Sequence, residues 1–448
     1  MKKKTAAVLL LILLCACAAA FAGSVPEARE NAWDVPEGYQ VERVVILARH
    51  NIRSPLSDAD SMLGKIVPHP WFEWSSASGD LSVRGGLLET AAGQFYRKWA
   101  ESTGLFPENW QPDPFSVRFY ANAYQRTQAT ARFFATGLLP MADVAVEQHA
   151  KLNTMDEVFK PRLRFCNGLY PADVMEQIAE TGGPDGMEGI RDSLRDSVSL
   201  LMEVTDMAES EAYRSGEYGD LLEDGLEIVL KEKSSPEMKG WLKTATSVAD
   251  ALIMQYYEEP DSVKAAFGHE LTFEQWRMIS GIVTRYGEIL YGTPLIAVNA
   301  AHPMLEALRG ELTANGRKFS FICGHDSNLA SVISCLDVRD YTLPEAVEAK
   351  TPVGAKLTFI RLTDENGDAW YDVSLVYQSV RQMHGTEMLD AGNPPLKVAL
   401  ELNGIPANEL GLVSEKDLLD LLDEKAEALY RLKEYYSGET APENAGGF

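Results

Sequence analysis

The sequence predicts an α/β protein with a mixed sheet and a helical insertion, and three observations carry that prediction. Apolar, strand-like runs end in polar, reactive side chains; an Asn-Gly turn joins two later runs; and the middle of the chain is acidic and helix-forming. The first run, VERVVILA at residues 41–48, is rich in β-branched residues and stops at Arg49-His50, as a buried strand does. The second, SVRFY at 116–120, leads into a helical stretch at 125–138. The third, KFSFIC at 318–323, ends at Gly324-His325-Asp326 before a helical stretch at 327–336. Ligands of open α/β sheets bind beyond the carboxyl ends of the strands, so these ends supply Arg, His, Arg and His-Asp to one rim.

Runs at 355–362 and 370–377 flank Asn366-Gly367, a strong hairpin signal, so an antiparallel edge is expected beside parallel strands. From about 152 to 260 the chain is rich in acids and helix formers, with helical periodicity at 193–208 and 218–231 and a glycine-rich loop at 181–186. The expected organisation is a leader at 1–22, a discontinuous α/β domain at 23–150 and 261–436, a helical cap at 151–260, and a polar tail at 437–448.

The leader reads Met1-Lys2-Lys3-Lys4, then an apolar run, then small residues ending Ala20-Phe21-Ala22. That order is a secretory signal, and the run is too short to span a bilayer. Cleavage after Ala22 and a periplasmic location are expected; the alternative is a lipid anchor on Cys17, because Leu14-Cys15-Ala16-Cys17 has the look of a lipid-attachment box. The net charge of −25 disfavours nucleic acid as a partner. It also requires any phosphate site to be a local basic pocket in an acidic body. Outside the leader, Cys166, Cys323 and Cys335 form no complete disulfide framework and have no metal-ligand spacing.

The chemistry-bearing residues begin with Arg49-His50-Asn51-Ile52-Arg53-Ser54-Pro55. Phosphoryl transfer needs a nucleophile, cations on the equatorial oxygens and a proton for the leaving group. A neutral imidazole attacks phosphorus, and guanidiniums just before and three after it clamp the same anion. The bland alternative is a loop that happens to start with Arg and His. His325-Asp326 offers a hydrogen-bond donor and a proton source, or else a surface turn and helix cap. Arg126 opens a helix and is either a third phosphate ligand or simply solvated. Trp71 and Trp74 either stack on a sugar face or pack against their own loop. The remaining histidines are scattered and receive no role.

Together these residues resemble the histidine acid phosphatases, a branch of the histidine phosphatase superfamily. The first signature of that family, Arg-His-Gly-x-Arg-x-Pro, is met by Arg49, His50, Arg53 and Pro55, its His-Asp pair by His325 and Asp326, and its intermediate Arg-Thr-x-x-Thr by Arg126, Thr127 and Thr130. The departure is Asn51 in place of glycine; asparagine tolerates glycine-like backbone angles, which keeps the loop plausible. Asn51 also narrows the resemblance to the bacterial periplasmic glucose-1-phosphatases, as do Trp71-Phe72-Glu73-Trp74, Gln255-Tyr256-Tyr257-Glu258 and Val376-Tyr377-Gln378-Ser379.

The resemblance implies a phosphoglycerate-mutase-like three-layer α/β/α domain with a helical cap roofing the pocket, and no cofactor or metal. It implies His50 as nucleophile, Asp326 as proton donor, and Arg49, Arg53, Arg126 and His325 as the phosphate pocket. The implied activity is acid hydrolysis of small phosphomonoesters such as glucose 1-phosphate through a phosphohistidine. The alternatives are a phytase of the same family and a non-catalytic binding protein. A homodimer stays open. One expectation is checked directly by intact mass of the exported protein. The mature chain should begin at Gly23, and a diacylglycerol-modified Cys17 at the N-terminus would overturn cleavage after Ala22 in favour of the lipid anchor.

Overall fold

Sheet order follows from which strands are apolar on both faces. The computed structural model describes residues 32–57 and 61–438; the leader, its cleavage site, Cys17 and most of the expected tail lie outside them. β1 (Gln40–Arg49) is central and buried along most of its length. On one side it pairs parallel with β6 (Phe319–Gly324), which pairs parallel with β2 (Val117–Ala121), and that strand with the short β3 (Val146–Glu147). On the other side it pairs antiparallel with β7 (Lys356–Thr363), and β7 with β8 (Ala369–Tyr377). β9 (Leu396–Ala399) and β10 (Val413–Ser414) pair antiparallel with β8. The sheet is therefore mixed, with the Asn366-Gly367 turn inside the β7–β8 hairpin.

Helices cover both faces. α1 (Val83–Ser102) and α2 (Gln125–Leu138) lie on one. There Phe134 stacks on Phe321 at 4.2 Å, and Tyr96 meets Phe319 edge-on at 6.0 Å. The two helices cross closely at Gly93 and Gly137. A Cβ on either would stand 2.2 Å from a carbonyl oxygen of the other helix, so only glycine permits the crossing. On the opposite face, α7 (Pro294–Thr313), α8 (Asp326–Cys335) and α9 (Glu415–Ser437) bury Leu305, Leu308, Leu329 and Leu418 against Val45, Leu47, Ile322 and Leu357. The alternation of Phe319 and Phe321 with Ile322 across β6 is what separates the two layers. This is the three-layer α/β/α architecture.

A second apolar cluster belongs to the helical region. α3 (Tyr170–Glu180), α4 (Gly186–Val204), α5 (Trp241–Glu258) and α6 (Phe273–Gly287) pack around it. In α4 the buried residues Ile190, Leu194, Val198 and Leu201 recur at helical spacing. Helix α6 packs on α4 and α5, so the helical layer takes in residues beyond 260. The described residues from Val35 onward form one compact unit.

One expected helix is absent. Residues 218–231 hold a short 3₁₀ turn and then β4 (Leu226–Val229), which forms a two-stranded hairpin with β5 (Glu237–Gly240). Gly225 and β-branched Ile228-Val229 explain the difference. The Gly225 carbonyl approaches Gly240 so closely that no Cβ fits there, and Gly240 has φ +93°. The apolar spacing resembled a helix because the segment is short enough to satisfy both periods. Among the described residues no helix is long and apolar enough to cross a membrane. Cys323 and Cys335 are buried, Cys166 is half-buried, and all three are free thiols.

Behind the strand ends lies a buried ion pair. Glu89 on α1 is fully buried, and its Oε1 accepts from Lys356 Nζ at 3.0 Å and from Asn51 Nδ2 at 2.8 Å. Removing one partner of such a pair leaves an uncompensated charge. Lys356→Met should therefore cost about 3–5 kcal/mol of stability, measured by urea unfolding; a loss under about 1 kcal/mol would show that the pair is not structural.

Candidate active site

Strand register brings the two histidines together. Arg49 is paired with Gly324 across the parallel β1–β6 ladder. The next residues, His50 and His325, therefore leave adjacent strands side by side, about 4.8 Å apart by strand spacing. Their rings meet edge-on with centroids 5.6 Å apart, and the His50 amide donates to the Gly324 carbonyl at 3.1 Å. β2 ends one strand further along. Ala121 is paired with Cys323, and the Asn122 amide donates to the Cys323 carbonyl at 3.0 Å.

α2 starts three residues past Asn122, and Arg126 in its first turn lies beside His325, with Nη2 3.5 Å from His325 Nδ1. The Arg126 guanidinium also lies over the Tyr124 ring at 4.9 Å and donates to the Gly79 carbonyl at 3.4 Å. A cation at a helix N-terminus faces the positive end of the dipole, a placement that suits an anion between them.

Arg49 and Arg53 occupy the near side. Both are almost fully buried. Arg49 donates to the Thr351 carbonyl at 2.6 Å and stands 3.9 Å from Glu348 and 4.0 Å from Asp326. Arg53 makes a two-pronged contact with Asp250 of α5, at 3.0 and 2.9 Å. The Nε atoms of Arg49, Arg53 and Arg126 are buried without a protein acceptor. Asp326 begins α8 beside His325 and keeps 47% side-chain exposure. All six residues singled out in the sequence thus come to one site.

The electrostatics are unusual for an acidic protein. Burial lowers the His50 pKa well below 6.5, and Arg126, Arg53, His325 and Arg49 push it further down. His50 is therefore uncharged. Its Nδ1 lies 2.9 Å from the Asn51 carbonyl, which can only accept, so Nδ1 carries the hydrogen and Nε2 keeps its lone pair. Burial and Arg126 lower His325 to about 3, against the opposing pull of Asp326. Burial brings Arg126 down to about 10, with Arg53 adding to it. Burial would raise the Asp326 pKa, but Arg49, His325, the Ser327 amide and Arg53 outweigh it and hold the carboxyl below the ordinary value.

Several contributors were not visible in the sequence. Asp250, Glu348, Glu89 and Lys356 each sit in segments whose pattern is that of ordinary helix, loop or strand. The reason for Asn51 also differs from expectation. Its φ is not positive; its amide instead donates to buried Glu89 and its Oδ1 accepts from the Ile52 amide at 2.8 Å. Trp71 packs edge-on against Phe267 and Trp74 against Phe72, both against the helical cluster. His69 and His269 converge on Asp206 at 2.7 and 3.2 Å, and His384 bonds the Tyr256 carbonyl at 2.7 Å.

Comparison with known proteins agrees with this geometry. The sequence profile of the histidine phosphatase superfamily, branch 2, matches residues 40–185. A glucose-1-phosphatase of Salmonella typhimurium is 33% identical over 386 residues, covering 85% of this chain and 91% of that protein. A phytase of Escherichia coli is 26% identical over 424 residues, covering 90% and 94%. Among solved structures, the apo form of Hafnia alvei phytase superposes with a TM-score of 0.80 at 26% identity, covering 88% of this chain and 99% of that one. The paired histidines, the three arginines and these relatives together lead to one conclusion: the chain belongs to the histidine phosphatase superfamily, branch 2, and is a phosphatase.

Proposed function

We propose that the protein is an exported, periplasmic acid phosphatase that hydrolyses small sugar phosphates, glucose 1-phosphate first, through a phosphohistidine on His50. The observation that carries this reading is the neutral His50 imidazole facing a cluster of guanidiniums. The lone pair on Nε2 is free to attack phosphorus while Arg49, Arg53, Arg126 and His325 take the oxygens. Asp326 protonates the leaving oxygen, then draws a proton from the water that attacks the phosphohistidine.

Charge balance favours a substrate with one phosphate. Asp250 already matches Arg53, and Asp326 and Glu348 stand close to Arg49. The remaining positive charge suits a single phosphate better than the crowded phosphates of phytate. The relatives named glucose-1-phosphatase support the same choice. Comparing phosphate release from glucose 1-phosphate and from phytate at matched concentration separates this reading from the phytase alternative, and faster release from phytate would reverse it.

The pH dependence has a definite sign. Asp326 must be protonated to act as the acid, and its neighbours favour the ionised form. A bound phosphate dianion offsets Arg49 and Arg53 and so raises the Asp326 pKa in the complex. Turnover of sugar phosphates should therefore fall as pH rises, by up to about tenfold per unit. His50 stays neutral far into acid, which puts its own loss of activity well below pH 6.5. Asp326→Asn should flatten the alkaline limb. It should lower kcat/KM for glucose 1-phosphate by about 10²–10⁴-fold and for p-nitrophenyl phosphate much less, because that leaving group hardly needs a proton and kcat/KM leaves out the later attack of water. Equal slowing of the two would remove Asp326 from the acid role. In His50→Ala no acid-labile radiophosphate should be trapped on quenching, and trapping at wild-type level would exclude His50 as nucleophile.

A further inference from the structure

We propose that Asn122 is a positioning residue that sets the tautomer of His325, so that the imidazole turns an N–H toward bound phosphate. The inference rests on the phosphatase reading above and assigns a role to a residue outside the signature motifs.

The orientation of the Asn122 amide follows from its neighbours. Its Oδ1 accepts from the Ala123 amide at 2.8 Å and the Asp156 amide at 2.9 Å. Both are backbone donors, so the oxygen must face them. The Nδ2 then faces His325 Nε2 at 2.6 Å, with the Met155 sulfur at 2.8 Å on its other side. A –NH₂ group only donates, so His325 Nε2 accepts and holds no hydrogen. A neutral imidazole carries one hydrogen, which places it on Nδ1. Nδ1 is the atom 3.5 Å from Arg126 Nη2. Both atoms are donors, and an anionic oxygen accepting from both satisfies the pair at once.

The anchoring is rigid. Asn122 and His325 are almost fully buried. The Asn122 carbonyl accepts from Thr127 Oγ1 at 2.7 Å and Gln128 Nε2 at 3.2 Å. Asp156 is held by the Tyr120 hydroxyl at 2.8 Å and the His149 amide at 3.1 Å. The other groups facing His325 are His50, Tyr124, Arg126, Arg53, Arg49 and Asp326. Most of these charges are cationic and oppose a doubly protonated ring, so tautomer choice and not ionisation decides what the ring offers. With the opposite tautomer, a lone pair on Nδ1 would face the phosphate oxygens and repel them.

The experiment is nitrogen-resolved NMR of histidine-labelled mature enzyme, with and without inorganic phosphate, the His325 signals being assigned by their loss in His325→Gln. The expected result is a protonated Nδ1 and an unprotonated Nε2 in both states. An Nε2–H tautomer in the wild-type protein overturns the proposal, whatever the variants do. Asn122→Asp supplies the kinetic arm. A carboxylate accepts from Nε2, so near neutral pH it moves the hydrogen there and weakens phosphate inhibition and substrate KM by about tenfold or more, one charge-assisted hydrogen bond's worth.

In acid the same carboxylate favours the doubly protonated ring, which restores Nδ1–H, so phosphate affinity should recover as pH falls. A merely structural defect would lower activity without this new pH dependence. A ratio of variant to wild-type phosphate affinity that stays constant across pH, with the ionisation of phosphate and Asp326 common to both enzymes, would count against the proposal. Turnover of p-nitrophenyl phosphate by the wild-type enzyme tests the underlying phosphatase reading separately.

Discussion

An uncharged imidazole held among guanidiniums is the constraint on which the rest of the structure depends. Three arginines around two histidines would repel one another strongly if the histidines were charged as well. Burial keeps both rings neutral, which limits the repulsion to the three permanent cations. Asp250, Glu348 and Asp326 then neutralise part of that charge. On the proposed function, a phosphate dianion would meet what remains unsatisfied. An acidic chain can hold such a pocket because its negative charge is spread over the surface.

The sheet supplies the precision. Two parallel strands in register deliver His50 and His325 from one edge, and a third delivers Asn122 and Arg126. No loop of adjustable length separates either histidine from its strand. The buried Glu89, Lys356 and Asn51 group then braces the turn after His50 from behind. Asn51 has no positive φ, and its side chain holds the turn by donating to Glu89 and accepting from the Ile52 amide.

Much of this was legible from residue order. The strands near 41–48 and 318–323 are apolar along most of their length, that near 116–120 less so, and the polar residues that follow them declare where the chemistry is. Helices such as 125–138 show a clear period. What stayed hidden depends on side-chain partners distant in the chain. Asp250 lies in a helix whose pattern explains every neighbour without it, and Lys356 reads as the first residue of a strand. The hairpin at 226–240 was masked because a four-residue strand leaves too little sequence to distinguish its period from that of a helix. The role of Asn122 needed the positions of two backbone amides, one of them 34 residues away.

The central claim is that phosphorus is attacked first by His50 and only then by water. Two displacements in line restore the original configuration, whereas one inverts it. The stereochemical course of transfer from an isotopically chiral phosphate ester to an acceptor alcohol therefore tests the claim directly. Net retention at phosphorus is predicted, and net inversion would contradict it.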